Sequence, residues 1–140
     1  MLIKKYNYLP EGAIQLRTDV FVKEQGFTEE FDSIDDIAVH LLLFEDEIPV
    51  ATCRYYWNKE KASYAVGRIA VAKAYRGKEL GAKLLHEAEK LITEDGGQEI
   101  YLAAQTRAAG FYEKQGYLAK GNPFYEEYCL HTNMYKTLHH

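Results

Sequence analysis

One stretch of this 140-residue chain combines backbone and side chains suited to holding an anion: Gly67-Arg68-Ile69-Ala70-Val71, then Ala72 to Tyr75, then Arg76-Gly77-Lys78-Glu79-Leu80-Gly81. A strand that enters a helix through a glycine-containing turn leaves amides without partners at the positive end of the helix dipole, where phosphate is the natural guest. Lys73, Arg76, Lys78 and Lys83 add positive charge around that turn. The spacing matches neither a dinucleotide fingerprint nor a P-loop, and the competing reading is an ordinary strand–loop–helix with solvated lysines. A second stretch, Phe27 to Asp36, interleaves Phe27 and Phe31 with Glu29, Glu30, Asp32, Asp35 and Asp36, a combination that suits a cationic amine.

These residues need elements to position them. Leu2 to Tyr6 reads as a first strand, and Pro10-Glu11 opens a helix to about Gln25 in which Ile14, Val20 and Phe21 share a face. Val39 to Phe44 and Val50 to Trp57 form a hairpin across Glu45-Asp46-Glu47, and Tyr64 to Val71 extends it into an antiparallel meander. Lys78 to Thr93 carries Leu80, Leu84, Leu85, Ala88, Leu91 and Ile92 on one helical stripe that stops at Gly96-Gly97. Glu99 to Ala104 is a strand and Ala108 to Gln115 a short helix closed by Gly116. Tyr117-Leu118 and Cys129 to Tyr135 supply the last strands. Strands interrupted by helices in this order predict an α/β (α+β) domain on a mixed sheet.

Composition narrows the function classes. With 47% hydrophobic and 27% charged residues, the expectation is a single domain over residues 1–138. His139-His140 are set aside as a tail or tag remnant. Seventeen Lys+Arg against 21 Asp+Glu give a formal charge of −4, which argues against a nucleic-acid partner and makes any basic patch local. No apolar run reaches the ~18 residues of a membrane span, and the first residues carry no export signal. Two cysteines, Cys53 and Cys129, lie far apart without metal-ligand spacing. The expected compartment is therefore the reducing cytoplasm, with no metal.

The segment Ala104-Gln105-Thr106-Arg107-Ala108-Ala109-Gly110-Phe111-Tyr112-Glu113-Lys114-Gln115-Gly116-Tyr117, taken with the turn above, resembles the GNAT superfamily of N-acetyltransferases. That superfamily pairs R/Q-x-x-G-x-G/A with N-x-x-A-x-x-F-Y-x-x-x-G-F/Y. The pattern falls on Arg76, Gly81, Ala108, Phe111, Tyr112, Gly116 and Tyr117. Leu16-Arg17, Val20 to Gln25, Glu30-Phe31-Asp32 and His40 resemble its small ElaA-like branch. Two positions depart from the pattern: Glu79 stands at the central glycine and Gln105 at the asparagine.

The resemblance implies a strongly bent mixed central sheet of about six to seven strands flanked by about four helices, with acetyl-CoA as co-substrate lying in a split between the strands Gly67–Val71 and Glu99–Ala104. Backbone of Ile69, Ala70 and Val71 would pair with the pantetheine arm, and the amides of Arg76, Gly77, Lys78, Glu79, Leu80, Gly81 and Ala82 would take the pyrophosphate. Gln105, Ala108 and Phe111 complete the implied cofactor set. Acetyl transfer to a primary amine needs a neutral amine, a stabilised oxyanion and a proton for the departing thiolate. Tyr112 matches the family's thiolate-protonating tyrosine, and an amide near Ile69 or Ala70 its oxyanion donor. The strand before the turn offers Gly67-Arg68 where many members place an acid, which leaves Glu30, Asp32 and His40 as candidate bases.

The expected acceptor is an amine of a small molecule or a peptide, for which Tyr55, Tyr56, Trp57, Phe27, Phe31, Phe124, Tyr125 and Tyr128 are candidate pocket residues, with Tyr55 and Trp57 on one strand face and Tyr56 on the other. A non-catalytic acyl-CoA-binding module is the alternative. A third reading is a thiol hydrolase using Cys53 or Cys129 with His86 or His131. An edge strand such as Cys129 to Tyr135 offers a route to a homodimer.

Overall fold

The computed structural model describes residues 1–138, so His139 and His140 lie outside the described residues. The chain forms two compact units. The first holds Met1–Tyr56 and Val66–Ala88; the second holds Trp57–Ala65 and the chain from Glu89 onward.

In the first unit, β1 (Leu2–Tyr6) pairs antiparallel with β2 (Val39–Glu45), and β2 with β3 (Ile48–Asn58), giving the order β1-β2-β3-β4 with β4 at Ser63–Val71. Asp46 takes a left-handed φ of 56° at the β2–β3 turn. Leu41, Leu43, Val50 and Ala51 are fully buried, as a central strand pair requires. Helix α1 (Glu11–Arg17) starts after extended Pro10 and packs Ala13 and Leu16 on Leu42. Gly12 allows that approach, because a Cβ there would stand 3.1 Å from both Leu42 and Pro49.

From Thr18 to Glu24 the helix widens to a π-helix, a rare geometry that occurs frequently at functional sites. The buried stripe is Ala13, Leu16, Arg17, Val20 and Phe21, whereas Ile14 is 40% exposed, so the expected Ile14 face is corrected. An arginine takes part in the stripe, and counting apolar residues alone put its centre one residue out of place.

Helix α2 (Leu80–Glu94) begins two residues later than its apolar pattern suggests. Gly77 at φ 82° and Glu79 at φ 59° turn the chain there, and the first intrahelical bond is Lys83 N–H to the Glu79 carbonyl, 3.1 Å.

In the second unit the start of β4 runs parallel to β5 (Glu99–Gln105), with Tyr64 opposite Ile100 and Ala65 opposite Tyr101. Antiparallel β8 (Cys129–Thr137) lines the other edge of β5 from Glu99↔Thr137 to Gln105↔His131. Short β6 (Leu118–Ala119) and β7 (Phe124–Glu126) pair with β8, so the stretch Cys129 to Tyr135 is flanked on both sides and is not the edge strand expected; the β7–β8 hairpin, which turns at Glu127 with φ 52°, adds a strand that the sequence pattern does not announce. Both helix ends in this unit use one device. Gly97 N–H reaches the Ile92 carbonyl and Gly96 N–H that of Thr93; after α3 (Ala109–Lys114), Tyr117 N–H reaches Tyr112 and Gly116 N–H reaches Glu113. These are Schellman caps, which need a left-handed residue at Gly96 (φ 89°) and Gly116 (φ 95°). Among the described residues the fold is thus mixed α/β with three α-helices, and no helix is long and apolar enough to cross a membrane.

Candidate active site

The turn read from the sequence as a candidate anion site belongs to the first unit. Ala70 is buried and packs against Val20 and Phe21 of the π-helix, while Ile69 and Val71 are half-buried. Before them Arg68 adopts φ 54°, in the left-handed region. After them Arg76, Gly77, Lys78 and Glu79 are exposed, and the amides of Leu80, Gly81 and Ala82 precede the first intrahelical bond. The Glu79 side chain is exposed, so the departure from glycine leaves the turn intact. Lys78 Nζ stands 5.2 Å over the Tyr75 ring. The Arg76 guanidinium forms a bidentate pair with Glu24 at the end of the π-helix, Nη1–Oε2 2.6 Å and Nη2–Oε1 2.8 Å, and its Nε donates to the Val71 carbonyl at 3.1 Å.

The acidic segment lies in the same unit and is tied down by three arginines. Arg17 donates from Nε to Glu30 Oε2 (2.9 Å), and from Nη1 and Nη2 to both oxygens of Asp35 (2.8 and 3.1 Å). Arg54 of β3 reaches Asp32 Oδ1 at 2.7 Å and Asp35 Oδ1 at 2.8 Å. Arg68 meets Glu30 Oε2 at 2.9 Å and Asp32 Oδ2 at 3.4 Å. Arg17, Glu30, Asp35 and Arg54 are all at most 5% exposed. His40 is 1% exposed, and its Nε2 donates to the Asp35 carbonyl at 3.0 Å.

The three candidate bases therefore meet in one network, with different electrostatics. Burial pushes the Glu30 carboxyl above its usual range against the pull of Arg68 and Arg17. Burial acts in the same sense on Asp32 and Asp35, but hydrogen bonds and charges from Arg54, and from Arg17 at Asp35, outweigh it. Both are lowered, Asp35 to about 2. Burial holds His40 below its ordinary value.

Sequence reasoning missed the arginines of this network. The available signal was Arg54 inside the apolar run Val50–Tyr55 and Arg17 on the buried stripe of α1. A buried arginine demands carboxylates, and residues 29–36 carry five: Glu29, Glu30, Asp32, Asp35 and Asp36. Glu24 carried no signal beyond its charge.

The second unit carries the other implied residues. Gln105 ends β5, and its side-chain oxygen accepts from Arg107 Nε at 2.8 Å. Thr106, in the turn that follows β5, and Thr132 of β8 share a hydroxyl hydrogen bond of 2.9 Å. Ala108 precedes α3, which presents Phe111 and Tyr112, both half-buried with rings edge to face at 5.0 Å. The Schellman cap fixes the end of this helix. Tyr117 OH donates to Glu89 at 2.8 Å, and Lys136 bonds both Glu89 and the Gln115 carbonyl.

Of the candidate pocket aromatics, Tyr55 is a core residue at 2% exposure, while Trp57, Tyr125 and Tyr128 are exposed. Cys53 is buried and its thiol is pushed up to about 12, which removes it as a nucleophile at neutral pH. His131 Nδ1 donates to the Cys129 carbonyl at 3.0 Å.

With this geometry in hand, the relatives are informative. Residues 7–138, spanning both units, match the family described as "Acetyltransferase (GNAT) domain". A Bacillus subtilis (strain 168) protein named as an acetyltransferase is 34% identical over 129 residues, covering 89% of this chain and 86% of that protein. The crystal structure of Escherichia coli ElaA aligns with a TM-score of 0.84 at 26% identity, covering 97% of this chain and 99% of that one. An aminoglycoside 6'-N-acetyltransferase complexed with coenzyme A shares the fold, with a TM-score of 0.76 at 16% identity over 98% of this chain and 97% of that one. The chain belongs to the GNAT family and is an N-acetyltransferase working by acyl-CoA-dependent acetyl transfer.

Proposed function

We propose that the protein is a single cytoplasmic domain that transfers the acetyl group of acetyl-CoA directly to a primary amine of a small molecule or peptide, in a ternary complex without metal. The observation that carries the reading is the β4–α2 turn. Gly77 and Glu79, both at positive φ, bend an exposed cationic segment onto the open first turn of a 15-residue helix. The amides of Arg76 through Ala82 receive the pyrophosphate, the backbone of Ile69, Ala70 and Val71 receives the pantetheine arm, and Gln105, Ala108 and Phe111 complete the cofactor contacts. The coenzyme A complex of the 6'-N-acetyltransferase is consistent with this choice of co-substrate.

The amine nitrogen bonds to the acetyl carbon and the carbon–sulfur bond breaks. Tyr112 gives its phenolic proton to the departing thiolate, a task a phenol of pKa ~10 can perform at neutral pH. An amide near Ile69 or Ala70 stabilises the oxyanion. Glu30 is the preferred base through a water, ahead of Asp32 and His40. Both arginines meet its Oε2, which leaves Oε1 to take a proton, and its raised pKa favours proton transfer where the lowered Asp32 does not.

Calorimetric titration with acetyl-CoA tests the co-substrate: binding tighter than about 100 μM supports the reading, and no heat with no competition by CoA rejects it. Once an acceptor amine is in hand, Tyr112→Phe should lower kcat about 10²-fold while the Kd for acetyl-CoA changes less than about twofold. Equal turnover would remove the role of Tyr112.

A further inference from the structure

We propose that Glu24 is a built-in competitor of the cofactor pyrophosphate, holding Arg76 in the place of a phosphate until the cofactor displaces it. The inference rests on the reading of the β4–α2 turn as the pyrophosphate site. A guanidinium has five N–H groups, and it grips a carboxylate or phosphate best through two of them in parallel. In Arg76 one N–H of each Nη is taken by the two Glu24 oxygens, at 2.6 and 2.8 Å, and Nε by the Val71 carbonyl at 3.1 Å. The two N–H groups that remain lie on opposite edges of the guanidinium and cannot form a parallel clasp. A two-pronged grip by Arg76 on phosphate therefore requires Glu24 to leave.

The pair is built to be exchangeable. Its side chains are 39% and 38% exposed, so water and ions compete for both partners, and such pairs contribute little to folding. Glu24 is also the last residue of the π-helix, whose Val20 and Phe21 pack on Ala70 of β4 and whose preceding residue, Arg17, holds Glu30 and Asp35. Release of Glu24 consequently loosens one end of an element whose other end anchors the candidate base.

The test is calorimetric titration of CoA, and of pantetheine as a probe lacking the pyrophosphate, into wild type, Glu24→Gln, Arg76→Gln and the double variant. Competition predicts that Glu24→Gln binds CoA about three- to tenfold more tightly, with no gain for pantetheine and no gain in the Arg76→Gln background. Unchanged or weaker CoA binding by Glu24→Gln overturns the proposal, as does a gain that persists without Arg76 or appears with pantetheine. Failure of wild type to bind CoA at all instead refutes the pyrophosphate site itself.

Discussion

Arg17 and Arg76 both bind carboxylates through charge-assisted hydrogen bonds of 2.6–3.1 Å, yet the side chain of Arg17 is 1% exposed and that of Arg76 39%. The first pair of partners, Glu30 and Asp35, is buried with it; the second, Glu24, is half in water. A buried charge that loses its partner has no solvent to turn to, so the Arg17 cluster is fixed by the cost of breaking it. An exposed charge that loses its partner is rehydrated at once, so Arg76 can exchange a carboxylate for a phosphate. Similar bonding therefore anchors the chain in one place and leaves it adaptable in the other, with depth deciding which.

The contrast is broken most severely at Arg17. Replacing it with Met leaves buried Glu30 with Arg68 alone and buried Asp35 with Arg54 alone, and should destabilise the protein by about 3 kcal/mol, read as a lowered urea midpoint. Glu24→Gln should stay within about 0.5 kcal/mol of wild type in the same experiment. Comparable losses in the two variants would show that depth does not separate the clusters.

Acid sharpens the same point. Asp35 titrates near 2 when folded and near 3.8 when unfolded, so the stability it contributes is complete above about pH 4 and is lost as pH falls toward 2. Asp32, also lowered, acts in the same sense. His40, held below 6.5, adds a loss that begins as pH drops through 6.5, because the unfolded chain takes a proton there before the folded one does. Glu30 works in the opposite direction: its raised folded value means protonation relieves a cost as pH falls toward 4.5. Stability should thus fall steeply between pH 4 and 2, where Asp35 and Asp32 act together, and Asp35→Asn should flatten that limb. A urea midpoint that stays level between pH 4 and 2.5 in wild type would contradict the assignment.

These two arginine sites also mark where sequence reading stops. Local rules made the helix ends legible: Gly96-Gly97 and Gly116 read as stops because a Schellman cap needs a left-handed residue at a fixed place after the last turn. The turn from β4 into α2 was legible for the same reason, through Gly77 and its cationic neighbours. The charge network was not, because Arg17 and Glu30 are 13 residues apart and Arg54 and Asp32 are 22 apart, with no periodicity linking them. Nor was the π-helix, whose residues Thr18 to Glu24 have the composition of an ordinary helix. Arg68 at positive φ was hidden as well, since nothing marks an arginine as a residue that will leave the strand conformation.

Arg68 and Glu79 carry the contrast down to the backbone. Both adopt left-handed φ, 54° and 59°, at a cost of roughly 1–2 kcal/mol for a residue with a Cβ. Arg68 is held there by its bonds to Glu30 and Asp32. Glu79 is exposed and sits where the family pattern has glycine, so only the turn itself imposes its conformation. Glycine at 79 removes the steric cost but returns about 0.5–1 kcal/mol through the freer unfolded chain, so Glu79→Gly should stabilise by about 0.5–1 kcal/mol. It also removes a carboxylate from the anion-binding turn, so CoA should bind more tightly. Arg68→Gly should do the reverse to stability, because the contacts it deletes outweigh the strain it relieves. Thermal melts of both variants with and without CoA decide the matter. A Glu79→Gly protein less stable than wild type would mean that the carboxylate, not the backbone, holds the turn.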